Sequence, residues 1–155
     1  MQSQWARLRE SDATLTEGMA KIAIPLLRVS LAITYIWFGA LKLAGRSPVA
    51  DLVSQTAPML PKRWFVRTLG LWEVAIGLAL LLRVALRPTL LLFFGQMAGT
   101  FLTFVMRPER MFQQGNPLLL TKDGEFVLKN LVLLSAGLAV GSTVRREHEE
   151  VPATD

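Results

Sequence analysis

Apolar residues in this chain come in four long blocks separated by short polar punctuation. The cleanest block runs from Pro88 to Met106, nineteen residues without a charge, with Arg87 and Arg107 immediately outside it. As a helix rising about 1.5 Å per residue it would reach roughly 28 Å, close to the thickness of a bilayer core. Residues 22–43 form a second block containing Arg28 and ending at Lys42 and Leu43. Residues 64–82 form a third with Arg67 and Glu73 inside, and residues 126–144 a fourth with Lys129 near its start and Arg145 and Arg146 after it. The pattern predicts transmembrane helices at 22–43, 64–82, 88–106 and 126–144, an all-α, integral membrane four-helix bundle occupying residues 21–144. A soluble bundle is the competing reading, but four helices apolar almost all round would leave it too little polar surface.

The connections carry their own signals. The first, residues 44–63, is the longest. Ser47 before Pro48 suits a helix start, so a short helix is expected from Pro48 to Gln55, stopping before Pro58 and Pro61. Lys62-Arg63-Trp64-Phe65 reads as a basic and aromatic anchor at the headgroups. Arg83 to Arg87 is short enough to make the second and third spans an antiparallel hairpin. The third connection, 107–125, holds Pro108, Gly115, Asn116 and Pro117, and then Lys122-Asp123-Gly124, a turn signal.

Residues 1–20 are too charged for a cleavable signal peptide. They fit a tail, or an interfacial helix with Trp5, Leu8, Leu15 and Met19 on one face and Thr14 with Glu17 as a capping box. Residues 145–155 read as a solvated tail, with His148 in its acidic stretch. An even number of spans puts both termini on one side. Basic residues near the span ends number eight on that side and nine on the other, so charge bias does not orient the chain.

Composition narrows the function classes. The chain has 155 residues, a formal charge of +5 and 52% hydrophobic residues. Its basic residues punctuate apolar runs instead of forming an arm or stripe, which argues against a nucleic-acid partner. No cysteine is present, and His148 is the one histidine. Thiol chemistry and thiolate metal sites are therefore excluded, and haem or structural zinc has too few ligands. No phosphate-cradling glycine loop occurs.

Charges inside a bilayer are costly and face a protein interior, a partner or water. At helical spacing Arg28, Tyr35, Gly39 and Lys42 share one face of the first span, with Arg28 and Lys42 about 21 Å apart. Gly70, Glu73 and Gly77 share a face of the second span. Gln96, Thr100 and Thr103 form a polar ridge on the third, beside Gly99. Gly137 and Gly141 give the fourth a small-xxx-small face. Following the chain up and down puts Lys42, Glu73 and Lys129 in the same half of the bundle, with Glu73 as counter-charge to one or both lysines. Snorkelling into the headgroups is the alternative for Arg28, Lys42 and Lys129. A Glu–Lys contact that orders the bundle and one that relays a proton are both compatible with this spacing.

Arg28-Val29-Ser30-Leu31-Ala32 leading into Trp37-Phe38-Gly39-Ala40-Leu41-Lys42-Leu43, followed by Glu73-x-x-x-Gly77-Leu78-x-Leu80-Leu81, resembles the DoxX-like superfamily of small bacterial membrane proteins. Gly124-Glu125-Phe126-Val127-Leu128-Lys129-Asn130, and Phe101-Leu102-Thr103 before Arg107-Pro108-Glu109, are similar to the branch of inner-membrane proteins that includes a reactive-chlorine-resistance protein. The resemblance covers roughly residues 21 to 144. It implies four spans in the bacterial cytoplasmic membrane, cytoplasmic termini and a link to membrane redox work or stress response. Arg28, Lys42, Glu73, Lys129 and Asn130 match its motifs by position. The expected polar cluster is thus Lys42, Glu73, Lys129 and Asn130, with Arg28, Tyr35, Gln96, Thr100 and Thr103 as further candidates. The preferred functional expectation is a non-catalytic accessory subunit or stress-response factor of a membrane redox system. Its partners would be membrane lipids and a redox complex or further copies of itself. One alternative is an oxidoreductase component that binds a quinone or another small acceptor, with Arg28 and Lys42 polarising acceptor oxygens and Glu73 relaying a proton. The other is an oligomeric small-anion transporter. No particular cofactor follows from the residues.

Overall fold

The computed structural model describes residues 2–144. Four long helices form the bundle: α1 (Gln2–Leu43), α3 (Lys62–Leu82), α4 (Leu86–Met106) and α6 (Lys122–Gly141). Each contains a stretch long and apolar enough to cross a membrane, and only 22–33% of each apolar window is buried inside the bundle. Trp37, Leu71, Leu91, Val105 and Val132 point outward and are exposed. An apolar surface of that extent needs lipid as its solvent, and helices alone satisfy their backbone there. The chain is an all-α four-helix bundle and a multi-pass membrane protein.

Several boundaries differ from the expected ones, each for a local reason. Residues 2–20 do not separate as a tail or interfacial helix: α1 continues unbroken through them and through Pro25. Thr14 and Glu17 therefore lie inside a helix and do not cap one. The face expected for Trp5, Leu8 and Leu15 rests on side chains outside the described ones, as do residues 145–155 with His148. Lys122-Asp123-Gly124 is the first turn of α6, not a loop turn. Thr121 caps that helix by accepting from the Gly124 amide at 3.1 Å, and Asp123 and Glu125 sit favourably in its first turn.

The connections on the side away from the termini are structured. The first holds α2 (Ala50–Gln55), which starts after Val49 without a side-chain cap, so Ser47 does not serve as one. The other holds α5 (Pro108–Met111) and a hairpin of β1 (Phe112–Gln113) and β2 (Asn116–Leu120). Its two turn residues, Gln114 (φ 52°) and Gly115 (φ 72°), are both left-handed, as a tight hairpin requires. Leu52, Met111 and Val127 form a small buried cluster under these connections. Arg107 Nη2 donates to the Gln55 carbonyl at 3.1 Å and ties the two together. At the exposed margin, Lys62 bonds Asp51, and that hydrogen bond and charge hold the Asp51 carboxyl below the usual aspartate range.

α1 and α3 make the most extensive contact in the bundle. Glycines make it possible. A Cβ on Gly39 would fall 2.6 Å from the Gly70 carbonyl oxygen, and one on Gly70 would fall 2.8 Å from the Gly39 oxygen. A Cβ on Gly77 would meet the Ala32 oxygen at 2.8 Å. These are backbone-on-backbone contacts, so the neighbour cannot give way, and close approach of this kind drives helix association in lipid. The half of the bundle nearer the termini is filled by Leu31, Ala32, Tyr35, Ile76, Leu80, Leu90, Phe93, Met97, Ala136 and Val140. Phe93 occupies the space that a side chain at position 137 would need, with its ring 2.4 Å from the Cβ that Gly137 lacks.

Gly70→Val should destabilise the bundle by roughly 1–3 kcal/mol or more, the cost of overpacking a site that cannot relax. Gly99→Ala, where an added Cβ meets open space, should leave stability unchanged. Unfolding in mixed detergent micelles compares the two, and equal midpoints would contradict the described crossing.

Candidate functional site

The glycine crossing sets the central polar contact. Lys42 lies one turn after Gly39 and Glu73 one turn after Gly70, so the same close approach brings their side chains together. Lys42 Nζ donates to both Glu73 carboxylate oxygens, at 2.8 Å to Oε1 and 2.6 Å to Oε2. Both side chains are buried. From α4, Gln96 Nε2 donates to Glu73 Oε1 at 2.6 Å. The carboxylate therefore accepts three hydrogen bonds drawn from two other helices. A lone charge at this depth would be expensive, whereas a paired and hydrogen-bonded one is tolerated.

This polar cluster sits on the wall of a cavity of about 280 Å³ in the half of the bundle away from the termini. All four spans and the α2 connection line it. Most of the wall is apolar. Its polar part consists of Lys42, Glu73, Gln96, Tyr35, Thr100, Thr103 and Asn130 from the spans and Thr56 from the α2 connection. Thr100 Oγ1 donates to the Gln96 carbonyl at 3.1 Å, Thr103 Oγ1 to the Thr100 carbonyl at 2.6 Å and Asn130 Nδ2 to the Phe126 carbonyl at 3.2 Å. Two buried polar atoms on the wall have no hydrogen-bond partner among the described residues: the Tyr35 hydroxyl and Gln96 Oε1. Buried polar groups in native proteins are almost always satisfied by protein, ligand or ordered water, so both atoms are available to a group that enters the cavity. Tyr35 is 3% exposed and held by Phe93, ring centroids 5.2 Å apart.

The expected cluster is thus partly assembled. Lys42, Glu73 and Asn130 line one cavity, and so do Tyr35, Gln96, Thr100 and Thr103. Lys129 does not join them: it lies on the exposed face of α6. Adjacent helical residues point about 100° apart, and α6 turns Val127, Asn130 and Gly137 inward. Lys129 shares a membrane depth with Lys42 but not a face, so Glu73 is counter-charge to one lysine and not to two. Arg28 is half-buried and does not line the cavity; the 14 residues separating it from Lys42 span about 21 Å. The expected joint action of Arg28 and Lys42 on one acceptor is therefore excluded by distance. The Gln96–Glu73 bond and the contribution of α2 were not anticipated. Val49, Leu52, Val53 and Thr56 all line the cavity, and their i, i+3, i+4, i+7 spacing was the available signal.

Comparison with protein-family models, with curated proteins and with solved structures finds no match to this chain.

Glu73→Leu should strand the Lys42 ammonium in an apolar site and destabilise the protein by about 3–5 kcal/mol, and Lys42→Met should do the same to the carboxylate. The double variant should recover much of either loss, since both charges leave together. Detergent unfolding of all four proteins gives the coupling, and additive losses would sink the pairing.

Proposed function

We propose that this protein binds the polar head of a quinone, or of a similar small carbonyl-bearing acceptor, in the cavity between its four spans. The observation that carries this reading is the pair of unpartnered buried atoms on the cavity wall. The Tyr35 hydroxyl donates to a carbonyl oxygen of the ligand, and Gln96 Oε1 accepts from a hydroxyl or N–H, so oxidised and reduced heads are both served. The apolar remainder of the wall suits a ring, and a concave, mainly apolar site with few polar groups is the usual form of a small-molecule site. Lys42, already held by Glu73 and Gln96 through the carboxylate, adds a positive charge at the edge of the head without leaving the site strongly cationic.

That compensation also weighs against small-anion transport, because an anion would meet a lysine whose charge is taken up. The same proposal includes placement in the bacterial cytoplasmic membrane with cytoplasmic termini, as a component of a membrane redox system of the DoxX-like kind. Lys42, Glu73 and Asn130, three of the five residues that carry that resemblance, line the cavity. In that orientation the cavity occupies the outer half of the membrane.

The test is titration of the protein in nanodiscs with a water-soluble, tailless benzoquinone or naphthoquinone, read by quenching of tryptophan fluorescence. Binding should be saturable. Tyr35→Phe keeps the ring against Phe93 and removes one hydrogen bond, so affinity should fall about 2- to 10-fold. Absence of saturable binding, or an unchanged affinity in Tyr35→Phe, would contradict the proposal.

A further inference from the structure

We infer that the ligand of this cavity is an amphiphile whose apolar tail leaves the bundle sideways, between α3 and α4 at Gly99, into the lipid. The inference rests on the proposed ligand-binding role of the cavity and names the kind of molecule that the cavity takes.

Three features of the walls locate the opening. α3 and α4 are joined by only residues 83–85, yet of the four adjacent helix pairs they make the sparsest contact. On the α4 side of that seam, Gly99, Leu102 and Met106 line the cavity and are at the same time exposed on the outside of the bundle. A side chain at position 99 would meet nothing within 4 Å, so the wall has a gap there that a Cβ does not fill. Across the seam α3 contributes Phe65 and Leu69, both apolar and half-buried. The opposite seam, between α1 and α6, is covered by Phe38 and Phe126, whose ring centroids lie 6.2 Å apart. The end of the cavity is covered by α2, tied down by Arg107 through the Gln55 carbonyl.

The chemistry of the walls matches a head-and-tail molecule. The unpartnered groups, Tyr35 and Gln96, lie on the same wall as the Lys42–Glu73 pair, while the residues at the gap carry no polar side-chain atom. A polar head is held at the first and an alkyl or isoprenoid tail passes the second. A cavity of about 280 Å³ has room for a head but little more, and the bilayer begins where Gly99 stands. A tail in lipid keeps its apolar solvent, so binding needs no long internal tunnel.

The experiment compares two probes in nanodiscs, a tailless benzoquinone and its decyl-substituted form, each referred to its measured concentration in the bilayer. Wild type should bind both. Gly99→Trp should plug the gap and weaken the decyl probe at least tenfold more than it weakens the tailless probe. Leu102→Trp, at the same gap, should act in the same direction and serves if the first variant does not fold. Gly95→Trp is the control: position 95 is equally open but does not line the cavity, so both probes should bind it normally. If the plugged variants bind the decyl probe like wild type, or lose both probes equally, the side exit is wrong while the head site stands. If wild type binds neither probe, the ligand-binding role itself fails and the exit with it.

Discussion

One ion pair in a low-dielectric interior constrains the rest of this bundle. Lys42 and Glu73 can meet only because α1 and α3 approach at a point where neither helix has a side chain, at Gly39 and Gly70. An insertion-scale cost of about 2.5–3.5 kcal/mol for a single charge at mid-span gives the sense of what isolation of either group would mean. The pair thus fixes the register of the two helices, since a slip of one residue would separate the charges and put Cβ atoms into the opposing backbone. Gln96 then fixes α4 relative to α3 through the same carboxylate.

Glycine-led contact on one side and side-chain packing on the other divide the bundle into two unlike halves. Near the termini, Phe93 lies against Gly137 and a cluster of buried apolar side chains joins the helices. Beyond it, α1 and α3 stay together while α3 and α4 make little contact, and a cavity opens under α2 and the hairpin. The polar cluster stands at the cavity instead of inside a packed core. A pair that served stability alone would be expected to bury every polar atom around it in contacts. Here the Tyr35 hydroxyl and Gln96 Oε1 are buried and left without partners. This is the physical reason for reading the cavity as a site for a ligand and the pair as its framework.

Much of this was legible in the chain. Four apolar blocks placed four spans, because a spanning helix must be apolar over a length that the bilayer dictates. Helical spacing put Tyr35 with Lys42 and grouped Gln96, Thr100 and Thr103 on one ridge, and the structure finds all five on the cavity wall. Lys129 was misplaced because depth along a helix can be read from counting, whereas rotation about the axis depends on which neighbours a helix packs against. The hairpin escaped notice because β1 has two residues, too few for alternation to register; of its two turn residues Gly115 stood out and Gln114 did not. The Lys122-Asp123-Gly124 sequence misled for a related reason: Asp and Gly serve both turns and helix starts, and the Thr121 cap decides between them. The cavity itself has no signature in one dimension, since it arises where the contact between α3 and α4 is sparse.

The central claim is that Glu73 is an ionised carboxylate held by Lys42 between the helices. The most direct measurement is the infrared difference spectrum at neutral pH between wild type and Glu73→Gln in nanodiscs. The variant should lose the stretching bands of an ionised carboxylate, with no change in the region of a protonated acid carbonyl. Loss of a protonated-acid carbonyl band instead would show that Glu73 is neutral and that the bundle is not organised around an ion pair.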